Sequence, residues 1–190
     1  MPLTLSFKMT MLLEFVRRLN VTALALLLVC AAGVSCDSAK PNQAESARIR
    51  TRLEAIPLDQ KVQFTNDEWK YILTGRQYYV LRRGGTELPF ANTYWHTHEK
   101  GIYFCAACAN PLFNSDAKYD SGTGWPSFWQ PIGGDAVSAA NHSSFGGGTE
   151  ITCARCGSHL GHVFDDGPQP TGLRYCMNSA ALKFVKVVGN

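Results

Sequence analysis

The segments Cys105-Ala106-Ala107-Cys108 and Cys153-Ala154-Arg155-Cys156 are two matched CxxC pairs, separated by a long stretch of chain. Four thiolates at this spacing are the ligand set of a structural tetrahedral zinc site, in which each turn presents two sulfurs to the same ion. One zinc ion per chain would join two distant parts of the sequence, and its binding would be coupled to folding. Disulfide bonds and a redox-active CxxC remain open as alternatives.

Ahead of the first pair, the sequence is helical in character. The run from Ala47 to Ile56 mixes apolar and basic residues and stops before a proline. Thr65-Asn66-Asp67-Glu68 has the form of a capping box and precedes the run Trp69-Lys70-Tyr71-Ile72-Leu73. Gly75 ends this second helix, and Gln77 to Leu81 are expected to form a short turn or strand.

From Gly101 onward, the pattern changes to β-rich segments that Gly and Pro punctuate. The clearest segments are Ile102-Tyr103-Phe104, Ile151-Thr152-Cys153 and Leu182-Lys183-Phe184-Val185-Lys186-Val187. Helices followed by a run of strands predict an α+β or mostly antiparallel β domain, not repeated βαβ units. We place this domain at residues 47–190.

One cysteine of the domain, Cys176, has no partner at metal-ligand spacing. On a strand, Arg174 would lie on the same face as Cys176, and a nearby guanidinium favours the nucleophilic thiolate. His159 and His162 follow the second CxxC pair. Because four sulfurs already satisfy zinc, a histidine is available as proton donor or base for a reactive cysteine. A buried structural cysteine is the alternative interpretation of Cys176.

The composition suits one globular domain with appendages, since 45% of the 190 residues are hydrophobic and 17% are charged. The formal net charge is +3, and residues 1–35 contribute Lys8, Arg17 and Arg18 against Glu14. The remaining chain is nearly neutral. It lacks the basic surface that nucleic-acid binding requires, so we expect no nucleic-acid partner.

Residues 1–35 have the features of an export signal. A basic start is followed by the apolar core Val21-Thr22-Ala23-Leu24-Ala25-Leu26-Leu27-Leu28-Val29 and then by small residues. The apolar run is shorter than the ~20 residues of a membrane-spanning helix. An uncleaved membrane anchor and an organellar transit peptide are the alternatives, and translation from Met9 or Met11 also remains open.

The end of this leader, Gly33-Val34-Ser35-Cys36, resembles the lipobox of bacterial lipoproteins, in which the cysteine carries the lipid. Residues 36–46 are polar and have no core-forming pattern, so they would tether the domain to a membrane surface. The resemblance implies an exported bacterial protein that is either periplasmic or anchored through a lipid on Cys36. Lipidation and simple cleavage both remain open, and we expect no other contact with a membrane.

Four further runs, together with the two CxxC pairs, resemble one known family. They are Gly85-Thr86-Glu87-Leu88-Pro89-Phe90, Gly122-Thr123-Gly124-Trp125-Pro126-Ser127-Phe128, His159-Leu160-Gly161-His162-Val163-Phe164 and Arg174-Tyr175-Cys176-Met177-Asn178-Ser179. The motifs occur in the order of one family, the peptide-methionine (R)-S-oxide reductases, or B-type methionine sulfoxide reductases. The resemblance covers about residues 64–187. The resemblance implies a mostly β fold of two antiparallel sheets with short N-terminal helices and a four-cysteine structural zinc site.

The resemblance also implies roles for single residues. Cys176 matches the catalytic nucleophile, and Trp125 matches the indole that packs against the methyl group of the substrate. His162 and Asn178 match polar residues around the sulfoxide oxygen. Two more residues match supporting positions: His159 and Arg174. The implied activity is reduction of methionine-R-sulfoxide in oxidised proteins or peptides through a sulfenic acid on Cys176. We expect the protein to be a monomer.

One position departs from the family pattern. Many members carry a resolving cysteine where this chain has Thr123. The remaining candidates for a resolving thiol are Cys36, the cysteine of the lipobox-like run, and Cys30, inside the leader. If Cys36 is blocked by a lipid, we expect an outside thiol, such as a thioredoxin-like protein, to reduce Cys176. The rival class is a non-catalytic zinc-ribbon binding module, which explains the CxxC pairs but leaves Cys176 and the Trp125 run without a role.

Overall fold

Two antiparallel β-sheets form most of the structure, a computed structural model that describes residues 43–143 and 148–187. The strands within these residues are short, since turn residues interrupt the sequence often: β1 (Gly101–Cys105), β2 (Pro111–Asn114), β3 (Lys118–Tyr119), β4 (Ser127–Phe128), β5 (Val137–Ser143), β6 (Thr149–Cys153), β7 (His159–Phe164), β8 (Arg174–Met177) and β9 (Leu182–Lys186). The three predicted β segments correspond to β1, β6 and β9 and are confirmed.

The smaller sheet has the strand order β2-β1-β9, and the larger has the order β3-β4-β8-β7-β6-β5. Every neighbouring pair in both sheets is antiparallel. The predicted fold class, a mostly β domain of two antiparallel sheets behind short helices, is therefore confirmed.

Aromatic side chains from both sheets form a common core. Tyr103 on β1, Phe113 on β2 and Phe128 on β4 are fully buried. The rings of Phe113 and Phe128 stack with centroids 4.3 Å apart, and Tyr103 meets Phe128 edge-on at 5.0 Å. Such pairs contribute about 0.5–1.5 kcal/mol each beyond the burial of area. Because strand side chains alternate, Phe128 faces this core while its neighbour Ser127 points to the opposite face of the sheet.

Three helices precede the sheets: α1 (Gln43–Glu54), α2 (Asn66–Ile72) and α3 (Gly75–Arg83). The first begins about one turn before the predicted start at Ala47, so it includes the last residues of the predicted tether. Ile49 is its fully buried residue and anchors it to the core.

Both remaining helices begin at capping boxes. The predicted box is present: Thr65 Oγ1 accepts from the Glu68 N–H at 3.2 Å, and the Glu68 carboxylate accepts from the Thr65 N–H at 2.8 Å. The prediction of a turn or strand at residues 77–81 is wrong, because they lie inside α3. A second box, formed by Thr74 and Gln77, starts that helix. Thr-x-x-Gln fits the capping-box signature, so the sequence carried the signal.

Arg155, inside the second CxxC turn, ties the N-terminal segment to the cysteines. Its side chain is buried. Its guanidinium donates hydrogen bonds to four backbone carbonyls, those of Ile56, Pro57, Gln60 and Cys108. A buried charge is tolerated when its donors are satisfied in this way. The contact explains how the helices, which lie far from the cysteines in sequence, are held beside them.

The predicted leader, with Cys30 and Cys36, lies outside the described residues, and so does the predicted tether up to residue 42. Their assignment stays a prediction. Among the helices of the described part, none combines the length and the apolar character that crossing a membrane requires.

Candidate active site and metal cluster

Four buried cysteine sulfurs meet where the two CxxC turns come together. All four Sγ atoms lie within 4.8 Å of one another, with Cys105 3.8 Å from Cys156 and Cys108 3.6 Å from Cys153. A disulfide would hold the sulfurs about 2.05 Å apart, so these cysteines are free. An ion with four sulfur ligands at about 2.3 Å needs sulfur–sulfur edges of about 3.8 Å in a tetrahedron, and the cluster fits that geometry.

The environment of the cluster also favours a cation over redox chemistry. Hydrogen bonds with the neighbouring thiols and burial raise the pKa of Cys105, while hydrogen bonds from the same thiols lower the pKa of Cys156. Four thiolates at these distances repel one another unless a cation neutralises them. A redox-active CxxC needs an accessible thiol, and all four are buried. The predicted ligands therefore form a site that can hold a metal ion.

A row of side chains crosses the large sheet on one face. The strand register pairs Glu150 with His162, His162 with Cys176, and Cys176 with Ser127. Directly opposed residues on antiparallel strands have Cβ atoms about 4.5–5.5 Å apart and share a face. The structure therefore brings together the predicted nucleophile and the predicted proton donor, although they lie on different strands.

Glycine at position 161 allows β7 and β8 to approach closely at this row. A Cβ on Gly161 would collide with the carbonyl oxygen of Cys176 and would lie 2.9 Å from the Cα atom of Met177. Any larger residue would push the strands apart. The glycine inside the His-Leu-Gly-His run thus sets the distance between His162 and Cys176.

Arg174 lies on the Cys176 face, as its two-residue spacing predicts. The Asp166 carboxylate accepts two hydrogen bonds from its guanidinium, at 2.8 Å to Nε and 2.9 Å to Nη2. The guanidinium also stacks over the Phe164 ring, 4.2 Å from the ring centroid. A bidentate pair of this kind fixes the direction of the guanidinium, so Arg174 is held in place beside the thiol.

Burial raises the pKa of the Cys176 thiol above its ordinary value, and the charge of Arg174 together with hydrogen bonds from Thr123 and Arg174 offsets only part of that rise. The predicted effect of Arg174 on the thiol has the right direction, but burial is the larger effect. Cys176 is therefore a protonated thiol at neutral pH. For the predicted attack by its sulfur, this proton would have to leave.

His162 lies opposite Cys176 and is a candidate acceptor for that proton. Burial lowers its pKa, His159 lowers it further, and Glu150 raises it. The ring is therefore neutral at neutral pH and can both accept and donate. His159 lies beside it with ring centroids 5.4 Å apart, even though residues three positions apart on a regular strand face opposite sides. A β-bulge in the pairing of β6 with β7 brings His159 to the same face.

Trp125 and Asn178 are both held by one loop residue, Glu87. The indole N–H of Trp125 donates to the Glu87 carbonyl at 3.0 Å, and Asn178 Oδ1 accepts from the Glu87 N–H at 2.9 Å. Asn178 is buried, and its Nδ2 donates to the Leu160 carbonyl at 3.2 Å. These bonds hold the loop that supports the indole. The predicted contact between Asn178 and a sulfoxide oxygen stays a prediction.

Together these side chains enclose a cleft of about 150 Å³ beside the Cys176 thiol. Six residues that line it are Thr86, Trp125, His162, Phe164, Cys176 and Asn178. Pockets for drug-sized ligands measure roughly 300–1,000 Å³, so this cleft admits a single side chain. His159 and Arg174, which were predicted as supporting positions, lie behind His162 and Cys176 and not among the residues that line the cleft.

Three residues at the site have no assigned role in the sequence-based prediction: Glu87, Glu150 and Asp166. Asp166 lies two residues after the end of β7 and bonds to Arg174 across the turn that joins β7 and β8, so a search for opposite charges across that turn would find it. Glu87 acts mainly through its backbone groups, for which residue type is no signal. Glu150 reaches His159 only through the bulge, which the sequence does not reveal.

Fold and site together define a class of protein. A family model described as the SelR domain matches residues 73–186, a range that includes the two CxxC turns, the cleft and every predicted site residue. The chain belongs to this family, the B-type peptide methionine sulfoxide reductases.

Individual relatives carry that name. A protein of Methanosarcina mazei named peptide methionine sulfoxide reductase MsrB is 54% identical over 127 residues, which are 66% of this chain and 91% of the relative. The protein of the same name from Leptospira interrogans is 52% identical over 130 residues, 68% of this chain and 99% of the relative. Peptide methionine sulfoxide reductase B1, chloroplastic, from Arabidopsis thaliana is 46% identical over 158 residues, 83% of this chain and 74% of the relative.

Proposed function

We propose that the protein reduces methionine-R-sulfoxide residues of oxidised proteins or peptides to methionine, with Cys176 as the nucleophile. The observation that carries the proposal is the direct pairing of Cys176 with His162 across β7 and β8, in a cleft whose wall is Trp125. A non-catalytic zinc-ribbon module is not favoured, because it leaves a half-buried thiol, a histidine and an apolar cleft without a role.

The proposed reaction transfers one oxygen atom. The Cys176 sulfur attacks the sulfoxide sulfur, and its proton passes through His162 to the sulfoxide oxygen. This protonation makes the substrate sulfur more electrophilic, which is general acid catalysis. The attack forms a bond between Cys176 Sγ and the substrate sulfur, which then carries a hydroxyl group. This oxygen moves from the substrate sulfur to Sγ as both the S–S bond and the original S–O bond break. The substrate sulfur gains two electrons and the cysteine sulfur loses two, so the products are methionine and a Cys176 sulfenic acid.

The preference for the R epimer is supported by the two different sides of the cleft. An indole is apolar and suits the methyl group, whereas the imidazole of His162 suits the oxygen. With both groups fixed, only one of the two epimers brings its sulfur to Cys176 while the rest of the methionine chain points out of the cleft. Enzymes of this chemistry act on one epimer each.

We expect the wild-type protein, supplied with a dithiol, to reduce a peptide that contains one methionine-R-sulfoxide at least about a hundredfold more efficiently than the same peptide with the S epimer, a difference of about 2.7 kcal/mol in transition-state free energy. Separation of methionine from sulfoxide peptide by chromatography measures both rates. Equal rates on the epimers would contradict the epimer assignment, and no reduction of either would contradict the function.

Zinc is the ion that we propose for the four-cysteine cluster. Four thiolates in a closed tetrahedron are characteristic of structural zinc, and the sulfur–sulfur distances of 3.6 and 3.8 Å suit its bond lengths. The residues that would hold it are the two CxxC pairs. The ion would stabilise the fold and would take no part in the reaction, because no ligand position is left for substrate.

The identity of residue 123, a threonine, bears on how the oxidised Cys176 is reduced back to a thiol. The Thr123 side chain is one of the groups that lower the pKa of Cys176, and its hydroxyl lies 2.8 Å from the Ser121 hydroxyl. A threonine cannot form a disulfide, so we propose that an outside thiol attacks the sulfenic acid, with release of water. A second thiol then frees Cys176 by disulfide exchange. A thioredoxin-like protein is the proposed physiological donor.

Because residue 123 is a threonine and not a cysteine, we make a prediction about turnover. A chain with Cys30→Ser and Cys36→Ser should form about one methionine per protein without reductant and then stop with a dimedone-reactive Cys176, since the zinc cysteines are engaged. Adding Thr123→Cys should convert this oxidised state to a disulfide with Cys176, because Thr123 is near enough to affect the pKa of Cys176 and a disulfide needs Cα atoms within about 7 Å. Peptide mapping by mass spectrometry distinguishes the two states.

Two outcomes would contradict this account of regeneration. One is a disulfide between Cys176 and a zinc cysteine in the chain that retains Thr123. The other is a Thr123→Cys chain that still accumulates sulfenic acid. Thr171→Cys is a matched control, because Thr171 is an exposed threonine that donates to the Trp129 carbonyl, away from the cleft.

We also propose that the protein is exported, supported by the leader sequence and by the resemblance of residues 33–36 to a lipobox. Mass measurement of the mature N-terminus distinguishes a lipid on Cys36 from simple cleavage. The monomeric state stays a prediction.

A further inference from the structure

The Glu150 carboxylate and the His159 ring form a short contact that the proposed reaction does not include. Glu150 Oε1 lies 2.7 Å from His159 Nδ1. The histidine side chain is 7% exposed, so this bond is shielded on the histidine side, while the carboxylate is 38% exposed. Among the described residues, the other ring nitrogen, Nε2, has no hydrogen-bond partner although it is buried.

This arrangement fixes where the imidazole carries its proton. A carboxylate only accepts hydrogen bonds, so Nδ1 must be the protonated nitrogen of His159. If both ring nitrogens carried protons, Nε2 would be an unpaired N–H of a buried charged group, which costs more than an unpaired nitrogen of a neutral ring. The pattern of one paired and one unpaired nitrogen therefore favours the neutral Nδ1–H form with a bare Nε2.

His159 is in ring contact with the histidine that faces the thiol. The two ring centroids are 5.4 Å apart, and the ring planes meet at 65°. His162 is opposed to Glu150 on one side and to Cys176 on the other. The carboxylate does not pair with His162, its direct cross-strand neighbour, and is bonded to His159 at the bulge instead. Apart from the effect of its charge on the pKa of His162, Glu150 acts on His162 through its bond to His159.

We propose that Glu150 is a positioning residue for sulfoxide reduction, which fixes His159 as the Nδ1–H tautomer and so holds the His162 ring against Cys176. The inference rests on the proposed function. A carboxylate that orients a histidine is a recurring device where a proton must move at a set place. Small displacements of such groups cost large factors in rate.

The first test is a measurement on the wild-type protein. Nitrogen-15 NMR of the histidine rings, with Glu150→Gln and His159→Gln used for assignment, reports which nitrogen of His159 carries the proton. We expect Nδ1 to be protonated and Nε2 bare at neutral pH. An Nε2–H tautomer in the wild type would overturn the proposal, whatever the variants do.

The second test is kinetic. Glu150→Gln keeps an acceptor oxygen but loses the charge. We expect single-turnover methionine formation to slow at least tenfold, and by no more than the roughly 10,000-fold that general acid–base catalysis supplies at most. KM for the R-sulfoxide peptide should change less than about twofold, because Glu150 does not line the cleft. Glu150→Asp restores the charge on a shorter arm and should be faster than Glu150→Gln.

A matched control separates positioning from general charge or folding effects. Asp135→Asn also removes one carboxylate next to the large sheet, but Asp135 is exposed, precedes β5 and does not line the cleft. It should keep the wild-type rate. Melting temperature and bound metal should match the wild type in every variant.

The outcomes are distinguishable from failure of the proposed function. If the wild type reduces the R-sulfoxide and Glu150→Gln is within twofold of it, the positioning role is wrong. A Glu150→Gln rate loss that Glu150→Asp does not relieve, accompanied by a lower melting temperature, would also overturn it. If the wild type itself is inactive on both epimers, the function fails while the tautomer measurement still decides the structural part of the proposal.

Discussion

Replacing Cys176 by serine should abolish reduction of methionine-R-sulfoxide. Serine retains the size and the strand pairing with His162, but its hydroxyl is far less acidic and less nucleophilic than a thiol and cannot form a stable sulfenic acid equivalent. We expect a loss of at least about a thousandfold, which is common when a covalent nucleophile is removed. Steady-state assays with the R-sulfoxide peptide and a dithiol measure it.

The control for this variant is its own fold. Cys176 lies outside the metal cluster, so bound zinc and melting temperature should equal those of the wild type. If Cys176→Ser keeps even about a tenth of the activity, the sulfur of Cys176 is not the group that attacks.

Replacing a cluster cysteine should have the opposite profile. In Cys105→Ser or Cys153→Ser, a hard oxygen replaces one of four buried sulfurs, and zinc is lost or held weakly. Structural zinc contributes roughly 10–16 kcal/mol apparent in small zinc peptides, which exceeds or equals the whole stability of about 5–15 kcal/mol of a domain. We therefore expect these variants to be largely unfolded at 25 °C, as reported by circular dichroism and thermal melting.

Cys176→Ser is also the matched control here, since it makes the same chemical change at a cysteine outside the cluster. Metal analysis of the wild type should give one zinc per chain, and a chelator should reproduce the unfolding. An unchanged melting temperature in Cys105→Ser, with or without metal, would show that the cluster does not hold the two CxxC turns together.

Local patterns predicted the fold well where the determining interaction is close in sequence. The capping box at Thr65, the β segments and the shared face of Arg174 and Cys176 all depend on residues within a turn or two of each other. The two CxxC pairs also succeeded over a long distance, because metal ligation limits residue type and spacing strictly. The prediction at residues 77–81 was wrong although a local signal for a helix, the Thr74–Gln77 capping box, is present. No tertiary effect is needed to explain the helix there.

Other features of the site depend on the register of distant strands. The pKa of Cys176 is set mainly by burial, which the neighbouring Arg174 does not reveal. The buried hydrogen bonds of Asn178 follow from the docking of the Glu87 loop. The bond between Glu150 and His159 exists because a bulge shifts the pairing of β6 and β7. Such effects require three-dimensional contacts, and no residue pattern within one segment encodes them.

The central claim is that the oxygen of methionine-R-sulfoxide passes to the sulfur of Cys176. A peptide R-sulfoxide with an isotopically heavy oxygen, mixed with the Cys30→Ser and Cys36→Ser chain without reductant and quenched in acid, tests it by mass spectrometry. The account predicts about one methionine per chain and one heavy oxygen on the peptide that contains Cys176. Methionine formation with the heavy oxygen absent from the protein, or bound to any other residue, would contradict it.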